Sequence, residues 1–371
     1  MIKNINLKFY FLIFLAFSIW RFFLFLTAYL SPFIIPNFGN KFPYADQHLM
    51  NSGLPHFIWS FANFDGVHYL IIAKDGYSNQ FTQVFFPFFP LIINFIGKIF
   101  SINFISAALI VSNASFLLGL IIFFELVTKF FNQKIAFWSI LLLLTFPTSF
   151  FFGSTYTESL FFLLTVSSFY LLSEKRVILA SFLGLLASAT RLMGIFLAPS
   201  FYLTDIKRKY IPLIIIPLGL LSYMVFLKIR FNNPLYFLTA QEIFGQERST
   251  NSVVLFPQVV FRYIKILLTT KGLVFNIALL ELSATFFALV TIFIFRRKIP
   301  REWFAFSLFA ILIPTLTGTF ASMPRYILVV FPLFIALGTI KSDFQKIVLA
   351  SAFSILLFVL TCLFTQGYWV A

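Results

Sequence analysis

Apolar runs long enough to cross a bilayer recur along this chain of 371 residues, and they limit what it can fold into. A helix of about 20 apolar residues spans a hydrocarbon core of roughly 30 Å. Hydropathy predicts about eleven such segments, approximately at 9–30, 84–100, 103–127, 135–147, 150–172, 177–204, 210–229, 273–295, 303–320, 324–340 and 346–366. The mean hydropathy of +0.97 agrees with this count. We therefore expect an all-α polytopic membrane protein, with residues 1–371 forming one membrane-embedded domain.

Charge and cysteine content narrow the class further. The net charge of +15 is spread over short loops, so the sequence offers no soluble basic domain for nucleic acid. Basic loop residues are expected to face anionic membrane lipids instead. The one cysteine, Cys362, excludes an intramolecular disulfide bond and a cysteine-cluster metal site. The 58 phenylalanines are interpreted as lipid-facing residues.

Basic residues in the short loops predict the orientation of the bundle. The side expected to be cytoplasmic carries the N-terminus with Lys3 and Lys8, and also Lys98, the runs 207–209 and 296–298, Arg301, Lys341 and Lys346. The opposite short loops carry Lys129, Lys134, Lys175 and Arg176. The two long non-membrane stretches, 31–83 and 230–271, then lie outside as a first and a second outer loop.

Three details refine this topology. Both outer loops are rich in aromatic and polar residues, which favours amphipathic helices lying at the interface. The fourth segment is short, and if it folds back without crossing, Pro147 moves to the outer side. The first apolar run contains Arg21 and has no small-residue cleavage site after it, so we expect a retained helix and not a signal peptide.

One polar stretch, NFDGVHYLIIAKDGY at 63–77, stands out in a chain with only 11 % charged residues. It places Asp65, His68, Tyr69, Asp75 and Tyr77 in the first outer loop. An aspartate in this position is either a helix N-cap or a general base. Asp75 precedes a glycine, which is typical of a turn that ends a helix, and the tyrosines are expected to pack or to bind a ligand. The three histidines of this loop match no zinc-site spacing.

Ionisable residues also occur inside the predicted membrane segments, where they are costly and face an interior or a cavity. Glu158 is expected about two turns into a helix that begins near Phe150, and Arg191 midway along the apolar run 177–204. Arg325 is expected at the outer end of its helix, and Glu281 is more isolated. Structural ion pairs are one interpretation, and a polar cavity that opens outward is the other.

Six motifs in order resemble those of the PIG-V family, the GPI mannosyltransferase II group and its prokaryotic relatives. They are NFDGVHYLIIAKDGY at 63–77, FFPFFPLI at 85–92, FPTSFFFGSTYTESLF at 146–161, ATRLMG at 189–194, PLYFLTAQ at 234–241 and PRYILVVFPLFIALG at 324–338. The first motif corresponds to the family's W-D-x-x-x-Y-x-x-I-A-x-x-G-Y, with Phe64 in place of the usual tryptophan.

The resemblance implies a GT-C-like membrane glycosyltransferase that uses a polyprenyl-phosphate sugar, with mannose as the sugar, on the non-cytoplasmic face of a prokaryotic plasma membrane. Asp65 is then the catalytic residue, and the donor phosphate is expected on Arg325 and Arg191, because guanidinium binds phosphate bidentately. The candidate substrate-binding residues in the motifs are His68, Tyr69, Asp75, Tyr77, Glu158, Gln241 and Tyr326. No cofactor is expected, and a divalent metal is left open.

The expected partners are a lipid-linked sugar donor and membrane lipids, without nucleic acid. The acceptor stays open among glycan, lipid and protein. Two other functions are weighed against this one. A transporter would use Glu158, Arg191 and Glu281 as coupling residues, but it would usually show repeated halves. An O-antigen ligase or polymerase would concentrate its polar residues in a later loop.

Overall fold

The computed structural model describes residues 7–39, 45–244, 248–249 and 252–370. Residues 1–6, which include Lys3 of the predicted cytoplasmic N-terminus, lie outside the described residues, as do 40–44 of the first predicted outer loop and 245–247 and 250–251 of the second. The described residues form helices joined by turns, which confirms the all-α prediction.

The first half of the chain contains α1 (Leu7–Ile34), α2 (Ala45–His48), α3 (His56–Trp59), α4 (Asp65–Asp75), α5 (Phe88–Ile99), α6 (Phe104–Phe130), α7 (Gln133–Thr145), α8 (Glu158–Ser173) and α9 (Val177–Thr190). The second half contains α10 (Leu197–Tyr202), α11 (Ile211–Ile215), α12 (Pro217–Phe231), α13 (Tyr236–Thr239), α14 (Phe256–Thr269), α15 (Gly272–Phe295), α16 (Arg301–Thr315), α17 (Met323–Tyr326), α18 (Phe331–Gly338) and α19 (Asp343–Thr365). Short 3₁₀ segments lie at Met50–Ser52, Ser60–Ala62, Thr82–Val84, Ser149–Gly153, Leu192–Phe196, Ala240–Phe244 and Ile327–Val329.

Long apolar helices build the bundle. By length and composition, 5 helical stretches in the described chain could cross a membrane: α1, α6, the continuous pair α11–α12, α15 and α19. Shorter apolar helices such as α7, α8 and α9 pack among them, and α6 against α8 is the most extensive helix pair. Every predicted apolar segment therefore contains a helix, although two of these segments follow a different path from the one predicted.

Polar contacts show which helix ends lie together. Lys134 Nζ lies 2.6 Å from Asp343 Oδ2, which joins the start of α7 to the start of α19. Lys129 pairs with Glu174, which joins the end of α6 to the end of α8. Tyr10 near the start of α1 donates to Glu125 of α6. We call this end of the bundle the basic end.

The basic end corrects the predicted distribution of loops. Lys129, Lys134, Lys175 and Arg176 were expected opposite the loop that contains Lys341 and Lys346, and that expectation is wrong. Lys134 and Lys346 both bind Asp343, with Lys346 Nζ at 2.7 Å from Oδ1, so these basic loops share one end.

The first cause of the error is α5, which is only 12 residues long and therefore about 18 Å. Its end packs on the start of α6, where an added Cβ on Gly97 would lie 2.8 Å from the ring of Phe104. Since α6 then runs about 40 Å to the basic end, α5 stays at the opposite end. The predicted segment 84–100 is not a crossing, and Lys98 was placed on the wrong side.

The second cause is a break at Arg191. The predicted continuous segment 177–204 is wrong because α9 ends at Thr190 and Arg191 has extended backbone angles, φ −152° and ψ 147°. The 3₁₀ segment that follows folds back on α9, and a Cβ on Gly194 would lie 2.3 Å from the backbone of Ser188. The chain then returns toward the basic end, where Phe201 packs on α8. The predicted segment 177–204 therefore forms two antiparallel parts, with the break at Arg191.

Phenylalanines fill the core as well as the lipid-facing surface, so their interpretation as lipid-facing residues is only partly right. Phe150, Phe151 and Phe152 are fully buried. Phe152 stacks on Phe116 of α6 with ring centroids 4.2 Å apart. These rings pack the 3₁₀ segment Ser149–Gly153 deep in the bundle, which fixes the residues that follow it.

Candidate active site

A cavity of about 610 Å³ lies at the end of the bundle opposite the basic end. The helix α8 begins on this cavity and runs about 24 Å to Ser173 at the basic end. The polar residues that line the cavity come from five separate parts of the chain: Asp65, His68, Tyr69, Thr157, Glu158, Thr190, Arg191, Gln241, Arg248, Thr317, Ser322, Arg325 and Tyr326.

Asp65 is the first residue of α4. The residue at the cap position is Phe64, with φ 59° and ψ −118°, a conformation that a bulky residue rarely adopts. No side-chain cap bond is made there, so the N-cap interpretation of Asp65 does not describe its contacts. Asp65 Oδ2 instead accepts a hydrogen bond from Arg325 Nη1 at 2.6 Å.

The turn before Asp65 is held from two sides. Asn63 is buried and its Nδ2 donates to the carbonyl of Phe364 at 2.8 Å. The hydroxyl of Tyr156 donates to the carbonyl of Asn63 at 2.8 Å. The backbone N–H of Thr155 donates to the carbonyl of Phe61 at 2.9 Å. These bonds fix the strained turn against the segment that leads into α8.

The position of Glu158 differs from the predicted one. It does not lie two turns inside a helix from Phe150, because residues 149–153 form the 3₁₀ segment and α8 begins at Glu158 itself. Its Oε1 accepts from Arg191 Nη1 at 2.5 Å and lies 3.5 Å from Arg325 Nε. Its Oε2 has no hydrogen-bond partner within the described part of the chain.

The four charges form a chain in the order Asp65, Arg325, Glu158, Arg191. The side chains are 24 %, 9 %, 1 % and 11 % exposed in that order. Charges taken this far out of water are stabilised only where they are paired and hydrogen-bonded. Arg248 also lines the cavity, with Nη2 at 3.4 Å from both Ser322 Oγ and the Tyr326 hydroxyl. Among the described residues, three guanidiniums and two carboxylates line the cavity.

Other predicted residues lie on the same cavity. His68 stacks on the ring of Phe85 with centroids 5.0 Å apart. Burial lowers the pKa of His68, and the nearby carboxylate of Asp65 opposes that shift. Tyr69 is buried and packs edge-to-face on Phe85, while Gln241 and Tyr326 line the wall formed by later parts of the chain.

Asp75 and Tyr77 are not on the cavity. Asp75 is exposed at the last residue of α4, ten residues and about 15 Å beyond Asp65. The Tyr77 hydroxyl donates to the carbonyl of Phe85 at 2.6 Å, and its ring packs on Tyr223. Their expected role in substrate binding gains no support from this placement.

Glu281 does not line the cavity, but it interacts with two residues of the cavity wall, Arg248 and Ser322. Its Oε2 accepts from the Tyr263 hydroxyl at 2.5 Å, and that hydroxyl lies 3.0 Å from Thr319 Oγ1 and accepts from the backbone N–H of Phe320. Of the three residues that a transporter would use for coupling, Glu158 and Arg191 line the cavity and Glu281 does not.

Sequence reasoning missed several parts of the cavity. Neither Arg248 nor Trp369 lies in a motif that the sequence singles out. Trp369 follows α19, where no motif marked it. Metal binding was left open, and the described residues contain no group of three or more His, Cys, Asp or Glu side chains that could hold a metal ion.

The class of protein follows from a match to a protein family. The profile described as Mannosyltransferase (PIG-V) matches residues 8–217, which is more than half of the chain. The chain therefore belongs to the PIG-V mannosyltransferase family, a family of membrane glycosyltransferases, and the resemblance seen in its motifs is confirmed.

Two relatives and two solved structures give further comparisons. The GPI mannosyltransferase 2 proteins of two strains of Cryptococcus neoformans var. neoformans serotype D are each 31 % identical over 161 residues, covering 40 % of this chain and 36 % of the relative. The chain thus matches about a third of the length of these relatives. The Archaeoglobus fulgidus oligosaccharyltransferase in the apo form is 14 % identical with a TM-score of 0.46, covering 95 % of this chain and 56 % of the other. Its complex with zinc and sulfate gives 14 % and 0.42, with coverage of 93 % and 53 %.

Proposed function

We propose that this protein transfers a sugar, mannose by its family, from a polyprenyl-phosphate donor to an acceptor hydroxyl, with Asp65 as the general base. The observation that carries the proposal is the ion pair between Asp65 and Arg325 on a cavity of about 610 Å³. A carboxylate that can take a proton and a guanidinium that can hold a phosphate thus lie in hydrogen-bond contact.

The reaction requires few groups. The acceptor oxygen attacks the anomeric carbon, the bond from that carbon to the phosphate oxygen breaks, and the electron pair leaves with the polyprenyl phosphate. The acceptor proton passes to Asp65. Because the phosphate departs as a stable anion, the protein needs no strong general acid, but it must stabilise the charge that develops on the phosphate.

Arg325 takes part in both requirements of the reaction, because it contacts the proposed base and is the leading candidate to hold the phosphate. In the structure its guanidinium binds the Asp65 carboxylate and fixes the position of that carboxylate on the cavity. A donor phosphate that binds Arg325 competes for the same guanidinium and weakens its hold on Asp65. Arg191, held by Glu158, is the second candidate for the phosphate. Binding of the donor would therefore release the Asp65 carboxylate for contact with the acceptor hydroxyl.

The chemistry of the cavity walls suits a lipid phosphodiester. Within the described residues, three arginines line the cavity and could contact an anionic phosphate. One wall is apolar and is formed by Leu192, Met193, Phe196, Ile313 and Pro314. A prenyl chain could lie on this wall while its phosphate contacts the arginines.

The orientation supports the same donor. The basic end gathers the loops at 129–134, 174–176, 296–298 and 341–346, so by the positive-inside rule it is cytoplasmic and the cavity opens to the other face. Nucleotide sugars made in the cytoplasm do not cross the bilayer, so a donor on that face arrives on a lipid. In a prokaryotic plasma membrane, this site would face the outside of the cell.

A transfer assay tests the proposal. Purified protein in nanodiscs would receive polyprenyl-phosphate [¹⁴C]mannose and, in parallel, GDP-[¹⁴C]mannose, each with a heat-treated membrane extract, freed of polyprenyl phosphates, as the source of glycan, lipid and protein acceptors. The expected result is label transfer from the lipid donor alone, lost in Asp65→Asn. Transfer from GDP-mannose without any lipid carrier would refute the donor assignment.

A further inference from the structure

A tryptophan outside all of the sequence motifs completes the cavity. Trp369 lies in the segment that follows α19, where Gly367 adopts φ +75° and reverses the chain. The backbone N–H of Gly39 donates to the carbonyl of Gln366 at 2.7 Å and holds this segment against the residues that follow α1. Trp369 is thereby brought to the cavity wall.

Its ring contacts the residue that precedes Asp65 and the side chain of Arg325. The indole packs edge-to-face on Phe64, the residue before Asp65, with centroids 5.1 Å apart. The guanidinium carbon of Arg325 lies 5.5 Å from the centroid of the Trp369 ring. Trp369 is half-buried on the cavity, unlike Trp303, which is fully buried in the core.

A hexopyranose presents a face of C–H groups, and the electron-rich face of an indole is a favourable surface for it. In a polyprenyl-phosphate sugar, the anomeric carbon is bonded directly to a phosphate oxygen. A phosphate held by Arg325 therefore places the sugar ring within reach of the neighbouring indole. We propose that Trp369 is the stacking platform for the transferred sugar of the donor, an inference that rests on the proposed function.

A pair of synthetic ligands separates a sugar platform from a structural role. Binding of farnesyl-phosphate mannose and of farnesyl phosphate, which lacks the sugar, would be measured by calorimetry on protein in nanodiscs. Trp369→Leu should weaken binding of the mannosyl ligand by roughly 3- to 10-fold, as expected for a lost aromatic contact. Its affinity for farnesyl phosphate should stay the same.

Two further variants complete the test. Trp369→Phe keeps an aromatic face and should retain most of the affinity, which covers the case in which the leucine variant folds poorly. Trp59→Leu removes an indole from the same region but outside the cavity, and should leave the ratio of the two affinities unchanged. An equal loss of both ligands in Trp369→Leu, or no loss, would overturn the inference. Failure of the unmodified protein to transfer mannose from the lipid donor would refute the proposed function instead.

Discussion

The carboxylate of Asp65 and the guanidinium of Arg325 meet at 2.6 Å although 260 positions separate them in the chain. Glu158 binds the same arginine from the other side, with Oε1 at 3.5 Å from Nε. Arg325 is therefore shared between the two carboxylates. A donor phosphate and Asp65 would compete for one guanidinium, which links activation of the base to arrival of the donor.

Replacing Asp65 by asparagine tests the base. Asn keeps the shape of the side chain but cannot accept the acceptor proton, so transfer should fall at least roughly 100-fold, the lower range for general-base catalysis. Expression and membrane insertion should persist. The measurement is the rate of mannose transfer from a polyprenyl-phosphate donor in nanodiscs.

A matched control lies on the same helix. Asp75→Asn makes the same change at the exposed end of α4, outside the cavity, and should leave the rate within about 2-fold of the unmodified protein. If Asp65→Asn keeps most of its activity, Asp65 is not the base, and Glu158 is the carboxylate to test next.

Arg325→Lys tests the phosphate contact. Lysine keeps the positive charge but loses the planar fork that binds two phosphate oxygens. Loss of a charged hydrogen bond costs about 1.5–3 kcal/mol, which corresponds to roughly 10- to 150-fold in rate. The defect should lie in the use of the donor, measured as kcat/KM for the lipid phosphate at saturating acceptor.

Arg262→Lys is a suitable control for this variant. Arg262 Nη1 donates to the carbonyl of Gly318 at 3.0 Å, and the residue does not line the cavity. It should retain nearly full donor use. A lysine variant at 325 whose kinetic defect lay in the acceptor alone would assign Arg325 to the other substrate.

Glu158→Gln tests the buried charge chain. Gln keeps the size of the side chain but removes the negative charge between Arg191 and Arg325, leaving two guanidiniums close together with less compensation. Breaking a buried pair in this way costs about 3–5 kcal/mol. The expected result is a clear fall in the thermal unfolding temperature in detergent, together with loss of transfer.

Glu281→Gln provides the comparison. Glu281 is also buried, but it accepts a hydrogen bond from the neutral Tyr263 and has Arg248 as a charged neighbour, whereas Glu158 lies between two arginines. The same substitution should therefore cost less, about 1–2 kcal/mol. If the two glutamine variants unfold at the same temperature, the paired arginines do not make Glu158 special, and the charge chain is not the main source of stability at this site.

The sequence predicts the features of this structure that depend on local residue patterns. Apolar runs mark the helices, and the polar stretch at 63–77 singles out Asp65. Contacts between distant segments leave no such pattern. Nothing near Asp65 indicates that Arg325 pairs with it, or that Trp369 reaches the same cavity.

The two errors in the path of the chain also have physical reasons. Hydropathy gives α5 the same score as a crossing helix, although 12 residues reach only about 18 Å and the helix lies against the start of α6. Hydropathy also averages over Arg191. The side chain of Arg191 forms an ion pair with Glu158, and α9 ends at Thr190, the residue before it.

The corrected path of the chain yields a topology that reporter fusions can test. With Lys129, Lys134, Lys175 and Arg176 at the basic end, nearly all of the basic short loops lie on one side, and the positive-inside rule assigns that side to the cytoplasm. Fusions at 131–132, 174–176, 207–209 and 296–298 should all read cytoplasmic, and fusions within 31–83, at Lys98 and within 230–271 should read outside.

The informative positions are 131–132 and Lys98, because treating α5 as a crossing reverses both. An outside reading at 131–132 would contradict the structure's arrangement of α5, α6 and α7. A cytoplasmic reading throughout 31–83 would place Asp65 where nucleotide sugars are available, and the case for a lipid-linked donor would lose its main support.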